Sequence, residues 1–381
     1  MISTMTPHTL PCVLMRAGTS RGPFFLKDWL PQDIALRDRV LQSAIGAADA
    51  SHVNGLGGGT TLTSKVAIVS RATRPDCDID YLFAQVGPTH VDTRPNCGNM
   101  LAGVVPFALE TGMVQAQGDT STFRVLTLNT DMQCDVTVQT PLGPKGRFVA
   151  YEGAARIDGA PGSSAPITIN FLDTAGSVCA GLLPTGRVKD RIQVTPTAAL
   201  GGFEPFEIDV TCIDNGMPLV IFKASDMGRT GYESVADMNA DVDLKTRIEA
   251  LRLKVSHLMG LGDVTTKNYP KMTLIAPARN GGSLSTRSFI PHVCHDAIGV
   301  MAAVTVATAC VLEGSVTQGI AVMPTGNTQT VSVEHPTGEF SVELGLDPAN
   351  PQNVTRAALL RTARVLMRGE VMVPASVWHK A

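Results

Sequence analysis

Apolar residues recur along the chain with two periods, and each period predicts its own kind of element. Alternation over residues 10–16, the turn Ala17-Gly18-Thr19-Ser20-Arg21-Gly22 and the run Phe24-Phe25-Leu26 predict strand, turn, strand. Leu36, Val40, Leu41 and Ala44 share one face of a helix over 31–45, which Gly46 ends. Gly55-Leu56-Gly57-Gly58-Gly59-Thr60 is too rich in glycine to be regular and leads through Thr63-Ser64-Lys65 into a strand over 66–69. A strand over 81–86 follows. Next, Met100, Leu101, Val104, Val105, Ala108 and Leu109 recur at helical spacing, which predicts one helix with Asn96 as N-cap, Cys97 in its first turn and Gly112 just past its end. Segments 122–128 and 133–139 alternate as half-buried strands do.

The Gly/Pro-rich run over 158–166 and the stretch over 182–187 predict a boundary. Past it the first pattern recurs about 200 residues later. Cys212-Ile213-Asp214-Asn215-Gly216-Met217-Pro218 and the apolar run that follows repeat the glycine-turned strands. Leu244, Ile248, Leu251, Val255 and Leu258 repeat the amphipathic helix, and Pro270-Lys271 enters a strand over 272–276 as Ser64-Lys65 enters its own. His295-Asp296-Ala297-Ile298-Gly299 opens a helix that is apolar on nearly all sides through Leu312. A helix of that kind must be enclosed. The expected architecture is therefore α/β (α+β), two pseudo-symmetric domains over 1–185 and 186–381, each a sheet or barrel wrapped round a central helix, with the last segment returning to the first half. Facing halves would bring the two helix starts to one cleft.

Composition narrows the partners. With 381 residues, 44% hydrophobic and 17% charged, the chain can bury a large core, and two domains is the natural expectation. A net charge of −3 and 5% aromatics offer nothing for nucleic acid or an anionic membrane to bind. The opening residues lack the basic and apolar regions of a signal peptide, and the longest apolar run, 297–312, is too short to span a bilayer. Eight cysteines without a Cys-x-x-Cys pair fit reduced thiols in a cytoplasm. The sequence leaves oligomeric state open, a homodimer included.

The candidate chemistry gathers at Cys97 and Lys65. A thiol in the first turn of a helix meets unpaired N–H groups that favour thiolate and can seat a carboxylate. Gly98 and Asn99 on one side, and Ala297, Ile298 and Gly299 on the other, would make a cleft suited to a small polycarboxylate. Thr19, Ser20 and Arg21 add two hydroxyls and a guanidinium, and Gly57, Gly58 and Gly59 permit close approach to a ligand. Lys65 opens an apolar strand, where burial favours the neutral amine a base requires. An amine and a thiol beside bound carboxylates can move a proton on a carbon acid. The glycine loop lacks a Gly-Lys-Ser/Thr ending and opens a strand, so it reads neither as a P-loop nor as a dinucleotide fingerprint. His292, Cys294, His295 and Asp296 have no partner ligands at metal-binding spacing, so no metal is expected.

Several longer motifs together resemble the 2-methylaconitate cis–trans isomerase family. They are Met15-Arg16-Ala17-Gly18-Thr19-Ser20-Arg21-Gly22, Gly55-Leu56-Gly57-Gly58, Thr63-Ser64-Lys65-Val66-Ala67-Ile68 and Asn96-Cys97-Gly98-Asn99. The stretches from Tyr81 to Val86, from Cys212 to Pro218 and from Thr286 to His292 are most similar to its 4-oxalomesaconate tautomerase/isomerase branch, which serves gallate and protocatechuate breakdown. The resemblance runs over nearly the whole chain and implies the diaminopimelate-epimerase-like fold.

It also implies a cofactor-independent isomerase that shifts an allylic proton of a small tricarboxylate, with Lys65 and Cys97 handling the proton. Thr19, Ser20, Arg21, Gly57, Gly58, Gly59, Ser64, Gly98, Asn99, Asn215, Lys271, Arg287, Ile298 and Gly299 are the implied substrate contacts. The alternatives are 2-methylaconitate or an alkyl-itaconate as substrate, and a non-catalytic polycarboxylate-binding accessory protein. Two departures matter. Arg21 stands where many members have Lys, which changes the geometry of the charge. The second helix start lacks the second cysteine of the epimerases that share the fold, so a symmetric two-thiol racemase is not expected.

Overall fold

The apolar alternations at the start of each half fold as antiparallel hairpins turned on a glycine. The computed structural model describes residues 7–198, 200–326 and 328–378; the opening residues 1–6, read above as no signal peptide, lie outside them. In the first hairpin β1 (His8–Ala17) and β2 (Ser20–Leu26) pair Ala17 with Ser20, so Gly18 and Thr19 alone make the turn. Gly18 has φ +54°, and a Cβ there would sit 2.1 Å from Asn99 Oδ1, so conformation and packing both require glycine.

Two units divide the chain. The first comprises the residues up to Leu172 together with those from Leu360 onward; the second is Asp173–Leu359. The division falls inside the turn-rich stretch over 158–187. The first unit continues with α1 (Ile34–Ile45), capped by Asp33 and ended by Gly46 in the left-handed region. Then come β3 (Lys65–Arg71), β4 (Ile79–Val86), the short β5 (Val91–Asp92), α2 (Gly98–Leu101), α3 (Val104–Glu110), β6 (Thr120–Thr127), β7 (Met132–Gln139), the hairpin β8 (Leu142–Gly143) and β9 (Gly146–Arg147), and β10 (Ile167–Phe171). The second unit holds β11 (Asp190–Val194), β12 (Phe206–Asp214), β13 (Pro218–Lys223), α4 (Val235–Ala240), α5 (Val242–Leu258), β14 (Lys271–Pro277), β15 (Leu284–Phe289), α6 (Val300–Val311), β16 (Thr328–His335), β17 (Gly338–Asp347) and most of β18 (Asn350–Arg361). The chain then returns to the first unit as β19 (Ala363–Val373), which runs antiparallel to β1 along its whole length.

The strand orders show that the two units are copies of one plan. In the first unit the order is β10-β7-β6-β4-β3-β2-β1-β19, with β4/β6 and β2/β3 parallel and the other pairs antiparallel. In the second it is β18-β17-β16-β15-β14-β13-β12-β11, with β15/β16 and β13/β14 parallel and the rest antiparallel. Each parallel pair sits at the same place in its sheet. The lysines correspond as well: Lys65 is the first residue of β3 and Lys271 the first of β14.

Each sheet wraps a central helix. α2 and α3 pack on β1, β2, β3 and β7, and α6 packs on β12, β13, β16 and β17. Ala302 to Cys310 of α6 are buried without interruption, as an all-apolar helix requires. A second helix covers each sheet from outside: Val40, Leu41, Ala44 and Ile45 of α1 pack with Leu10, Phe25, Val66 and Ile68, and Leu244, Ile248, Leu251 and Val255 of α5 pack with Val210, Val220 and Leu274. This helix-in-sheet plan is the one expected of the diaminopimelate-epimerase-like fold. Among the described residues no helix is long and apolar enough to cross a membrane.

The helix after Cys97 differs from its sequence expectation. The stretch after Cys97 is not a single helix: α2 stops at Leu101 and α3 starts at Val104, with Gly103 as its N-cap. Pro106 explains the break. It has no N–H to give a continuous helix, but it fits the first turn of a new one, where that donor has no partner in any case. Gly103 is required by contact, since a Cβ there would lie 2.5 Å from the Phe24 ring.

Candidate active site

The break in the helix changes what faces the thiol. Cys97 is itself the N-cap residue, in extended conformation (φ −135°, ψ 99°), and Asn96 stands before it, its Oδ1 accepting from Cys97 N at 2.8 Å. The four-residue α2 is too short to present a macrodipole, so the expected dipole activation of Cys97 is not what the fold supplies. Instead the Lys65 amine points at the sulfur, with Nζ 3.8 Å from Cys97 Sγ. Lys65 reaches it from the first position of β3. Gly22 on the parallel neighbour β2 leaves room there: a Cβ on it would sit 1.9 Å from the Lys65 carbonyl oxygen.

β4 forms the floor. Strand residues two apart share a face, and Tyr81, Phe83 and Gln85 all reach the pair. The Tyr81 hydroxyl donates to Cys97 O at 3.3 Å, the Phe83 ring lies 5.0 Å from Lys65 Nζ, and Gln85 Oε1 accepts from Nζ at 3.1 Å. Burial, reinforced by nearby Cys97 and Cys134, pushes the Tyr81 hydroxyl well above its ordinary pKa, so it remains a donor. None of these three was singled out from sequence as a site residue. The signal was the polar Gln85 in an apolar strand, and only the register, which sets it opposite Lys65, gives it meaning.

The hairpin turn supplies polar groups beside them. Asn99 Nδ2 donates to Thr19 Oγ1 at 2.9 Å, while Asn99 Oδ1 finds no partner among the described residues. Ser20 is 2% exposed, and its hydroxyl, like Arg21 Nε, also has none. Buried polar atoms are normally paired, so these three stand out. Of the glycine loop, Gly58 comes nearest: a Cβ on it would lie 2.9 Å from Arg21 Nη2, whereas one on Gly57 would strike the His52 ring and one on Gly59, at φ +70°, would sit 2.5 Å from Ala50 O. Ser64 is buried and donates to Thr60 O at 2.6 Å, so its hydroxyl ties the loop to β3. The first unit thus brings together Thr19, Ser20, Arg21, Gly58, Lys65, Cys97, Gly98 and Asn99.

The second unit repeats the plan without the thiol. Gly299 caps α6, so His295, Asp296 and Ala297 precede that helix and do not open it as expected; His295 Nδ1 accepts from Ala297 N at 2.8 Å. Lys271 Nζ would lie 3.2 Å from a Cβ on Gly299. Burial lowers the Lys271 pKa, and burial followed by the Lys271 charge lowers that of His295. Cys294 is buried, with its thiol pushed up to about 11, the opposite of an activated nucleophile. Ile298 is buried against the core. Arg287 is committed internally, donating to Glu233 O and Thr286 O. Asn215 accepts from Thr174 Oγ1 and donates to Thr308 Oγ1, which fastens the Gly216 turn to α6.

Lys271 carries a stability consequence. Its pKa is depressed in the folded chain, so between that value and the ordinary 10.5 the unfolded chain binds more protons, and stability rises with pH there. At neutral pH the buried ammonium therefore costs stability, and Lys271→Met is expected to raise the midpoint of thermal unfolding at pH 7. The gain should shrink toward pH 10. An unchanged or lower midpoint at pH 7 would contradict this reading.

Residues 8–374 match the family described as PrpF protein. The chain is 48% identical over 371 residues to a 4-oxalomesaconate tautomerase of Pseudomonas putida, with 97% of each chain covered. It is 50% identical over 365 residues to a (4E)-oxalomesaconate Delta-isomerase of Novosphingobium sp., covering 95% of this chain and 97% of that one. A solved methylitaconate-delta-isomerase superposes with a TM-score of 0.82 at 31% identity, covering 98% of this chain and 97% of the other.

Proposed function

Because the chain belongs to the PrpF family and is an isomerase, we propose that it acts on 4-oxalomesaconate and moves the double bond by an allylic proton shift between Lys65 and Cys97. The observation that carries this reading is the amine 3.8 Å from the thiol, beside unpartnered Ser20, Arg21 and Asn99 groups. Both relatives near half identity are named for oxalomesaconate, whereas the methylitaconate enzyme is 31% identical.

The chemistry needs two proton-handling groups and a seat for carboxylates. Lys65, as neutral amine, takes a proton from the carbon between the keto group and the alkene. The electrons spread over both as a dienolate, which is stabilised by hydrogen-bond donors. The Cys97 thiol gives a proton to the far alkene carbon, so one C–H bond breaks, another forms and the double bond moves one place. This leaves an ammonium beside a thiolate. A proton passing directly from Nζ to Sγ restores both groups, and the 3.8 Å separation suits that transfer. Ser20, Arg21, Asn99 and the Gly58 backbone hold the carboxylates, which already acidify the reacting carbon, so the step asks for no cofactor. The eight unpaired thiols suit a reducing cytoplasm, and the substrate places the enzyme in gallate or protocatechuate breakdown.

The test follows the conjugated ultraviolet band of 4-oxalomesaconate in deuterated buffer. The wild type is expected to shift the band and place solvent deuterium on the product. Cys97→Ser, with a weaker acid at the same place, is expected to be slower by about 10²-fold. Binding without deuterium uptake would sink the catalytic reading in favour of an accessory role. Faster turnover of 2-methylaconitate would reassign the substrate.

A further inference from the structure

Gln85 is held in one orientation by its own neighbours. It lies directly across the β3/β4 pair from Lys65. Its amide nitrogen donates to the Ser64 carbonyl at 2.9 Å and to the Thr61 carbonyl at 3.3 Å, which uses both N–H groups. The oxygen then faces Lys65 Nζ at 3.1 Å. Turning the amide over would aim N–H groups at an amine and set an oxygen against two carbonyls, so the network permits one assignment.

We propose that Gln85 is a positioning residue for the isomerisation: a neutral tether that aims the Lys65 amine at Cys97. This rests on the reading of Lys65 as the base. A carboxamide accepts a hydrogen bond from an ammonium or from an amine alike. A carboxylate at the same distance would favour the ammonium form through its charge and leave little free base. The Phe83 ring, 5.0 Å from Nζ, closes another side of the amine, so the Gln85 oxygen and the Cys97 sulfur are its two hydrogen-bond acceptors among the described residues. The titratable side chain in contact with Lys65 is Cys97, from the start of α2. Tyr81 on β4 stands behind it on the Cys97 carbonyl, and Arg21 on β2 bonds through its backbone to Leu62 O.

The experiment measures kcat and kcat/KM for 4-oxalomesaconate against pH with the wild type, Gln85→Leu, Gln85→Glu and Lys65→Met, each shown to be folded by circular dichroism. Gln85→Leu removes the tether without adding charge, so kcat should fall by about tenfold or more while KM stays within about threefold. Gln85→Glu should move the limb on which kcat/KM rises with pH upward by about one unit or more, with activity recovering at alkaline pH. A residue that merely packs the strand would move neither the kcat-against-KM balance nor the limb. Wild-type kcat in folded Gln85→Leu, or an unmoved limb in Gln85→Glu, overturns the proposal. If the leucine variant does not fold, Gln85→Asn, whose shorter amide cannot span both carbonyls and Nζ, is held to the same kcat criterion. Full activity in Lys65→Met would instead overturn the base assignment. An inactive Lys65→Met alongside wild-type-like Gln85 variants would sink the tether alone.

Discussion

Replacing Lys65 with Met is expected to lower turnover of 4-oxalomesaconate by about 10³-fold, within the range that a positioned proton-transfer group contributes. The substitution suits the question because methionine is unbranched and of similar reach, and because the end of the Lys65 side chain sits over the Phe83 ring, where a thioether is also accommodated. The fold should therefore persist while the amine is lost. Two functions go together: abstraction of the substrate proton, and the return of a proton to the Cys97 sulfur 3.8 Å away. Deuterium exchange into substrate should fall in step with turnover, since both need the same C–H bond broken. A folded Lys65→Met variant within tenfold of wild type would show that another group is the base.

The largest stability effect is expected at Arg252→Leu. Arg252 is 0% exposed in α5, yet its guanidinium is fully engaged: Glu249 at 2.7 and 2.8 Å, Val264 O at 3.0 Å, Tyr269 O at 3.1 Å and Lys267 O at 3.4 Å. Removing one partner of a buried ion pair leaves the other uncompensated, at a cost of about 3–5 kcal/mol. Here Glu249 and three carbonyls would lose their donor together. For a unit of this size that predicts a fall in unfolding midpoint of about 10 °C, read by calorimetry. The carbonyls belong to the loop that delivers Lys271 to the head of β14, so the loop should also become more open to protease. A midpoint within two or three degrees of wild type would show that leucine packing offsets the lost network.

Local pattern carried much of this architecture. The glycine-turned hairpins at Gly18 and Gly216, the amphipathic α1 and α5, and the lysines heading β3 and β14 were all legible because each is set by neighbours in sequence. The repeat was legible for the same reason, although its strongest form, two sheets with matching parallel and antiparallel pairs, depends on pairings between distant residues. Pro106 lies inside an apolar stripe of helical period, and the stripe alone predicts one helix where the chain makes two. Past Leu312 the apolar pattern predicts no further strand. Phe340, Val342, Leu344 and Leu346 of β17 do alternate, but β19 leaves most of its length exposed, so burial imprints little period on it. At the site, Lys65 and Cys97 announced themselves by type, whereas Gln85 and Tyr81 did not. Their meaning lies in cross-strand register, which no single segment contains.

β19 has a bearing on how the molecule is made. Thr362, just before it, accepts from Gly18 N and from the Arg16 guanidinium, which fastens the turn that carries Ser20 and Arg21. A ribosome delivers that clasp only after every residue of the second unit has emerged. Until then β1 offers an unpaired edge, the feature that invites association with other chains. The nascent first unit therefore waits, its Gly18 turn unanchored, for its final strand, and this interval is where a chaperone would have most to protect.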